Sequence, residues 1–215
     1  MHRFLSEPGK RALTDAIRDV ESQTSAEIVV AVRPSSGRHP EVAWAFGSLA
    51  ALLTLALLLF SPWPFGLGWI LLDPLLVGAG VGWLTARSRR PRRLGLRRGV
   101  AERRVRRAAA ATFLDNGVYQ TRWRTGLLIY ISLLERRAVL VADLGVQSAV
   151  AEDDLLEAEG AINAALGRGD DAEGVARAIT DLGPLLGATL ERDDDDINEL
   201  PDEICAPTGA PGVAP

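Results

Sequence analysis

Cysteine and histidine are almost missing from this 215-residue chain, which has one Cys, at 205, and two His, at 2 and 39. A single cysteine cannot close an internal bridge, so a disulfide-stapled architecture is excluded and nothing points to an oxidising compartment. The histidines lie at the N-terminus and before a long apolar run, which leaves no basis for a His-based zinc site or a catalytic triad. Aromatic residues make up only 6% of the chain, and none is interleaved with the densest arginines, so base stacking and a nucleic-acid partner are not expected. A phosphate-cradling loop is also missing. Gly78-Ala79-Gly80-Val81-Gly82 has no preceding strand, and close helix packing through Gly78 and Gly82 is the better reading.

Charge is the other scarcity, and it is local. Between residues 42 and 86 the one charged side chain is Asp73. Residues 1–41 are neutral overall, residues 87–107 carry +10 from eleven Arg against Glu102, and residues 108–215 carry −13. The net charge of −4 therefore hides a strong segregation, which a soluble single domain rarely shows.

Two apolar runs, 42–60 and 65–86, are each long enough to cross a hydrocarbon core of about 30 Å at about 1.5 Å per helical residue. Ser61-Pro62-Trp63-Pro64 breaks the helix between them, because two prolines cannot continue it. The pair reads as a transmembrane helical hairpin. Trp44, Trp63, Trp69 and Trp83 fit that reading, since Trp favours headgroup depth. The basic juxtamembrane segment 87–107 should stay cytoplasmic, and a hairpin returns the chain to its starting side. A bacterial cytoplasmic (inner) membrane protein, multi-pass with both termini cytoplasmic, is expected. Arg87, Arg89, Arg90, Arg92, Arg93, Arg97 and Arg98 are candidates for anionic lipid headgroups, at about 1 kcal/mol for each exposed Arg. Asp73-Pro74 places an ionisable group and a helix breaker inside the second span, where an acid is a functional hypothesis by default. A shallow span that lets Asp73 reach water is the alternative.

The soluble part is divided by the hairpin. Ser6-Glu7-Pro8 followed by Leu13, Ile17 and Val20 predicts a helix to about Gln23. Residues 26–33 read as a buried strand, 100–115 as a helix, and 126–134 and 138–142 as an antiparallel pair. Helices are predicted over 151–166 and 171–190. About three strands and four helices make a small α/β sandwich with the hairpin inserted into its first crossover. The segment 191–215, with Asp193-Asp194-Asp195-Asp196, has the composition of a disordered acidic tail.

Several local motifs then carry a resemblance. They are Phe4-Leu5-Ser6, the run Val20 to Val30, and Gly126-Leu127-Leu128-Ile129-Tyr130-Ile131-Ser132-Leu133. Glu135-Arg136-Arg137, Ala142-Asp143-Leu144-Gly145-Val146 and the closing Asn198-Glu199-Leu200-Pro201-Asp202 complete the set. In this order they resemble the TPM domain family, in its bacterial membrane-anchored subgroup, over residues 3–35 and 101–190. The resemblance implies a three-layer α/β fold split into parts 1–35 and 101–190, and a phosphatase activity with divalent-cation binding attributed to some members. Family members carry Asn-rich polar residues before the Gly of the second strand, where this chain has Trp123-Arg124-Thr125.

Carboxylates are the remaining candidates for chemistry. Asp143 ends the third strand, and Asp153 and Asp154 open the next helix. An all-oxygen cluster of this kind suits Ca²⁺ or Mg²⁺. Acids in a first helical turn also serve the helix itself, by complementing the macrodipole and capping free N–H groups, and this is the favoured reading of these carboxylates. The leading expectation is a membrane-anchored, cytoplasm-facing binding or assembly module that meets lipids and membrane proteins. A metal-dependent phosphatase and a small transport or pore component are the alternatives.

Overall fold

A computed structural model describes residues 3–37, 40–88, 98–169 and 172–192, together with residues 200 and 205. The chain forms two compact units: Met1–Ser36 joined with Glu102–Pro215, and the intervening Gly37–Ala101.

The first unit is built on a mixed three-stranded sheet in the order β1 (Glu27–Arg33), β2 (Gly126–Ser132), β3 (Arg137–Ala142). β1 and β2 run parallel with Glu27 opposite Gly126, and β2 and β3 run antiparallel with Leu127 opposite Ala142. A parallel pair needs a long crossover, and here the crossover holds the second unit and helix α4 (Arg98–Asp115). Alternation along the strands sends side chains to both faces, and both are covered, which explains the unbroken apolar runs. On one face Ile28, Val30, Val32, Leu127, Ile129 and Ile131 pack against α1 (Glu7–Glu21), α6 (Glu152–Arg168), α7 (Ala172–Thr180) and α8 (Leu182–Gly187). On the other, Val29, Ala31, Leu128, Tyr130 and Val139 meet Val105, Ala109 and Phe113 of α4. The result is a small α/β fold.

The strand expected over 126–134 ends at Ser132, the second apolar helix starts at Leu67, and two further differences affect the helices of the first unit. The helix expected over 171–190 is two helices, because Gly183-Pro184 follows the break at Asp181 and proline supplies no N–H to extend the first. A short helix not expected from periodicity, α5 (Leu144–Ala149), follows β3 directly. Of the segment 191–215, Leu200 and Cys205 are placed against the sheet. The Cys205 N–H donates to the Val30 carbonyl at 3.0 Å in a parallel bridge to Ala31, so at this point the tail pairs with the free edge of β1. The Asp193–Asp196 run lies outside the described residues.

The second unit contains α2 (Pro40–Phe60) and α3 (Leu67–Arg87), each 21 residues long, joined through Ser61–Gly66. Both are long and apolar enough to cross a membrane. Their seam is made of small residues. A Cβ at Gly47 would stand 2.8 Å from the Gly78 carbonyl oxygen, and one at Gly78 would stand 2.9 Å from Ala51 Cβ. Backbone-to-backbone approach of this kind is how apolar helices gain contact without a hydrophobic driving force between them. α3 runs through Pro74 without a break, and the neighbouring Asp73 is half-buried.

Candidate functional site

Asp143, read from sequence as a cation ligand, is already fully engaged. Its side chain is buried, with 4% exposure. It accepts hydrogen bonds from Arg124 Nε at 2.7 Å and Nη2 at 2.8 Å, a bidentate fork, and from the Leu144 N–H at 2.8 Å as the N-cap of α5. The pairing holds the Arg124 guanidinium above its ordinary pKa, against a smaller opposing effect of desolvation. Arg124 reaches this place from a left-handed backbone conformation (φ 58°), and its carbonyl accepts the Gly145 N–H at 2.8 Å. A Cβ at Gly145 would come within 2.7 Å of that carbonyl oxygen, so only glycine lets the 121–125 loop close on α5. Asp153 and Asp154 sit exposed in the first turn of α6. Among the described residues, no three His, Cys, Asp or Glu side chains come together to hold a metal ion. Asp143 is thus a cap and an ion-pair partner, and the expected Ca²⁺ or Mg²⁺ cluster with Asp153 and Asp154 is not assembled.

A second polar group lies where β1 and β2 end. Glu135 accepts from Ser35 Oγ, the Ser36 N–H and Ser132 Oγ, tying the β2–β3 turn to the chain leaving β1. Tyr130 is buried beside it, and burial raises its phenol above the ordinary pKa while Ser36 and Arg33 pull the other way. These contacts join the ends of the two strands.

The most open chemistry is at the outer edge of β3. In the β2–β3 ladder, Asp143 bonds back to Gly126. By the antiparallel alternation, residues 137, 139, 141 and 143 therefore face β2, while 138, 140 and 142 turn their backbone groups outward. Side chains of α6 meet the first two. Asn163 Oδ1 accepts the Ala138 N–H at 2.8 Å and its amide donates to the Ala138 carbonyl at 3.0 Å. Glu159 Oε2 accepts the Leu140 N–H at 3.0 Å, and its Oε1 lies 3.4 Å from Arg106 Nη2. The Ala142 carbonyl accepts from Gln147 Nε2 at 2.6 Å. Along this edge, no described residue pairs with the Leu140 carbonyl or the Ala142 N–H. They face a cavity of about 370 Å³ lined by Arg106, Leu140, Ala142, Gln147, Val150, Glu152, Leu155, Leu156 and Glu159. Glu159 was not singled out from sequence. The available signal was its four-residue spacing from Asn163 on one helix face.

Of the arginines expected to meet lipid, Arg87 closes α3 and lies over the Trp83 ring at 5.5 Å. Arg98 opens α4, and Arg89, Arg90, Arg92, Arg93 and Arg97 fall outside the described residues.

Taken together, these features define a small α/β protein with a mixed three-stranded sheet and two long apolar helices set into the crossover between its parallel strands. No protein-family model matches the chain, and no curated protein sequence does. A solved structure is similar. The NMR structure of the BA42 protein from the psychrophilic bacterium Bizionia argentinensis aligns over 96% of this chain and 97% of its own, with a TM-score of 0.59 and 20% identity. At that identity the likeness speaks to the fold.

Proposed function

We propose that this protein is a membrane-anchored binding or assembly module, with α2 and α3 as a transmembrane hairpin and the α/β unit displayed at the cytoplasmic face of the inner membrane. One observation carries the reading: most large side chains of both apolar helices are exposed, with none of the described residues covering them. Leu57, Phe60, Leu67 and Leu71 are 72–89% exposed. Contiguous apolar surface on this scale needs a lipid or protein environment, and about 31 Å of helix matches the hydrocarbon core. The arginines that follow α3 favour the cytoplasmic side. The three-layer TPM-type reading of the fold belongs to the same proposal. A phosphatase centred on Asp143 gains no support from its bidentate pairing with Arg124, and a pore role rests on Asp73 alone.

Two measurements test the reading. The chain should remain in the membrane pellet through alkaline carbonate extraction and dissolve only in detergent. Release by carbonate would refute membrane insertion. For orientation, Cys205 is half-buried at the β1 edge and a poor probe. A Cys205→Ser background carrying Trp63→Cys in the hairpin turn should react with an impermeant maleimide in spheroplasts, whereas Asp154→Cys should react only after lysis. The opposite pattern would reverse the topology.

A further inference from the structure

The unpaired groups on β3 have a geometry that specifies a ligand. In a parallel ladder, one residue donates its N–H to the carbonyl of residue i − 1 on the neighbouring strand and accepts from the N–H of residue i + 1. The free Leu140 carbonyl and Ala142 N–H are such a pair, flanking Val141. A single residue of an added parallel strand would satisfy both through its own backbone. Antiparallel addition would use the same two groups through two different residues of the added strand, and would press the carbonyl of one and the N–H of the other against the Leu140 N–H and the Ala142 carbonyl, which Glu159 and Gln147 already occupy.

The opening has a definite cause. α6 runs antiparallel to β3, with Asn163 serving Ala138 and Glu159 serving Leu140. The next residue one turn back, opposite Ala142, is Leu155, which has no acceptor to offer. Leu155, Leu140, Val150 and Leu156 give the cavity an apolar wall. Glu152 lines its rim, and the exposed Asp153 and Asp154 follow it, while the cation of Arg106 is drawn to Glu159 and Glu102. The mouth is therefore acidic. At the opposite edge of the same sheet, Cys205 already adds to β1 as a parallel bridge, so this chain uses the same device on itself.

We infer that the β3 slot binds an extended basic peptide segment of a partner protein, in parallel register, through the backbone of one central residue. Small aliphatic residues on either side of it face Leu155, and basic residues beyond them face the rim. The acidic segment around Cys205 from a second copy is disfavoured at this mouth by like charge. This inference rests on the binding-module reading and supplies the ligand class for it; it does not depend on the orientation of the hairpin.

The test uses the full chain in uncharged detergent micelles and a fluorescein-labelled Lys-Val-Ser-Val-Lys peptide, read by polarisation. Binding is expected, with slower exchange of the segment containing the Ala142 amide. N-methylation of the central Ser amide removes one hydrogen bond and should weaken binding about tenfold. Leu155→Gln, which places an acceptor opposite Ala142, should weaken it similarly, and Glu152→Lys should weaken it without touching the backbone slot. The acidic peptide Glu-Val-Ser-Val-Glu should bind at least tenfold more weakly. Equal affinity for the N-methylated peptide would overturn the proposal, as would equal affinity for the acidic one. Absence of binding by a chain that still resists carbonate extraction would overturn this inference alone, whereas carbonate release with peptide binding intact would overturn only the membrane anchor.

Discussion

Removing the carboxylate of Glu159 isolates what its cover of the β3 edge contributes. Glu159 is 7% exposed and accepts the Leu140 N–H at 3.0 Å. A hydrogen bond to a charged acceptor contributes about 1.5–3 kcal/mol, and its loss leaves the amide unsatisfied. The second contact, to Arg106 at 3.4 Å, adds little, because the Arg106 side chain is 48% exposed and also holds Glu102 at 3.6 Å; about 0–0.5 kcal/mol is reasonable for such a pair. The neighbouring cavity lets water approach the freed amide, which pulls the total to the lower part of the range. Glu159→Ala should thus cost about 2 kcal/mol. Glu159→Gln keeps an acceptor oxygen in place and should recover at least half of that. Equilibrium urea unfolding of the full chain in micelles, followed by far-ultraviolet circular dichroism, measures both. Hydrogen exchange at the Leu140 amide should quicken in the Ala variant and stay slow in the Gln variant. An Ala variant within about 0.5 kcal/mol of the parent would refute the edge-cover reasoning. A Gln variant as damaging as Ala would refute it too, because the Arg106 ion pair would then be the operative contact.

Two further outcomes follow from the site geometry. Asp143→Ala removes the N-cap of α5, a loss of about 1 kcal/mol for the cap alone, and lowers the melting temperature; neither Ca²⁺ nor Mg²⁺ should raise the melting temperature of the parent, and Asp143-dependent stabilisation by either ion would restore the metal reading. For Tyr130 the folded-state phenol pKa is raised by burial, so the folded chain holds its proton where the unfolded chain loses it. That contribution is intact below about pH 10 and is lost as pH rises through the folded value; Tyr130→Phe should flatten the alkaline fall in stability measured by thermal unfolding above pH 10, and an unchanged slope would refute the assignment.

Much of the fold was legible because its signals are local. The hairpin ends lie within two residues of the composition boundaries, and Pro62 and Pro64 mark the turn that the structure keeps. The strands of the first unit stand out as β-branched or leucine-rich runs, since both faces of the sheet are covered. The short α5 escaped notice because six residues are too few to show a period; its one signal is Asp143 as a cap. The role of Asp143 itself was misread for a different reason. Its partner Arg124 is nineteen residues away in a loop, and the pairing depends on a left-handed backbone at Arg124 and on Gly145 closing beneath it. Nothing in the spacing of carboxylates reveals a guanidinium folded over one of them.

The β3 edge shows how a pattern can be present in a sequence and still be silent. Outward backbone groups on a strand recur every two residues, about 6.8 Å, and a helix returns to the same face every four residues, about 6 Å. A helix laid antiparallel along an edge can therefore present one side chain to each outward N–H for a few steps. Leu155, Glu159 and Asn163 are three such positions. The polar two sit against Ala138 and Leu140, and the apolar one stands opposite Ala142. Read along α6 alone, the trio is a mixed face with no obvious purpose, because helical periodicity reports where apolar side chains go and not which strand amides need acceptors. Once the register of β3 is known, the same trio becomes two closed positions and one open one. An edge protected along its whole length would avoid unwanted pairing, so an opening limited to one carbonyl and one N–H over an apolar wall admits a single peptide residue while denying a long strand a place to grow.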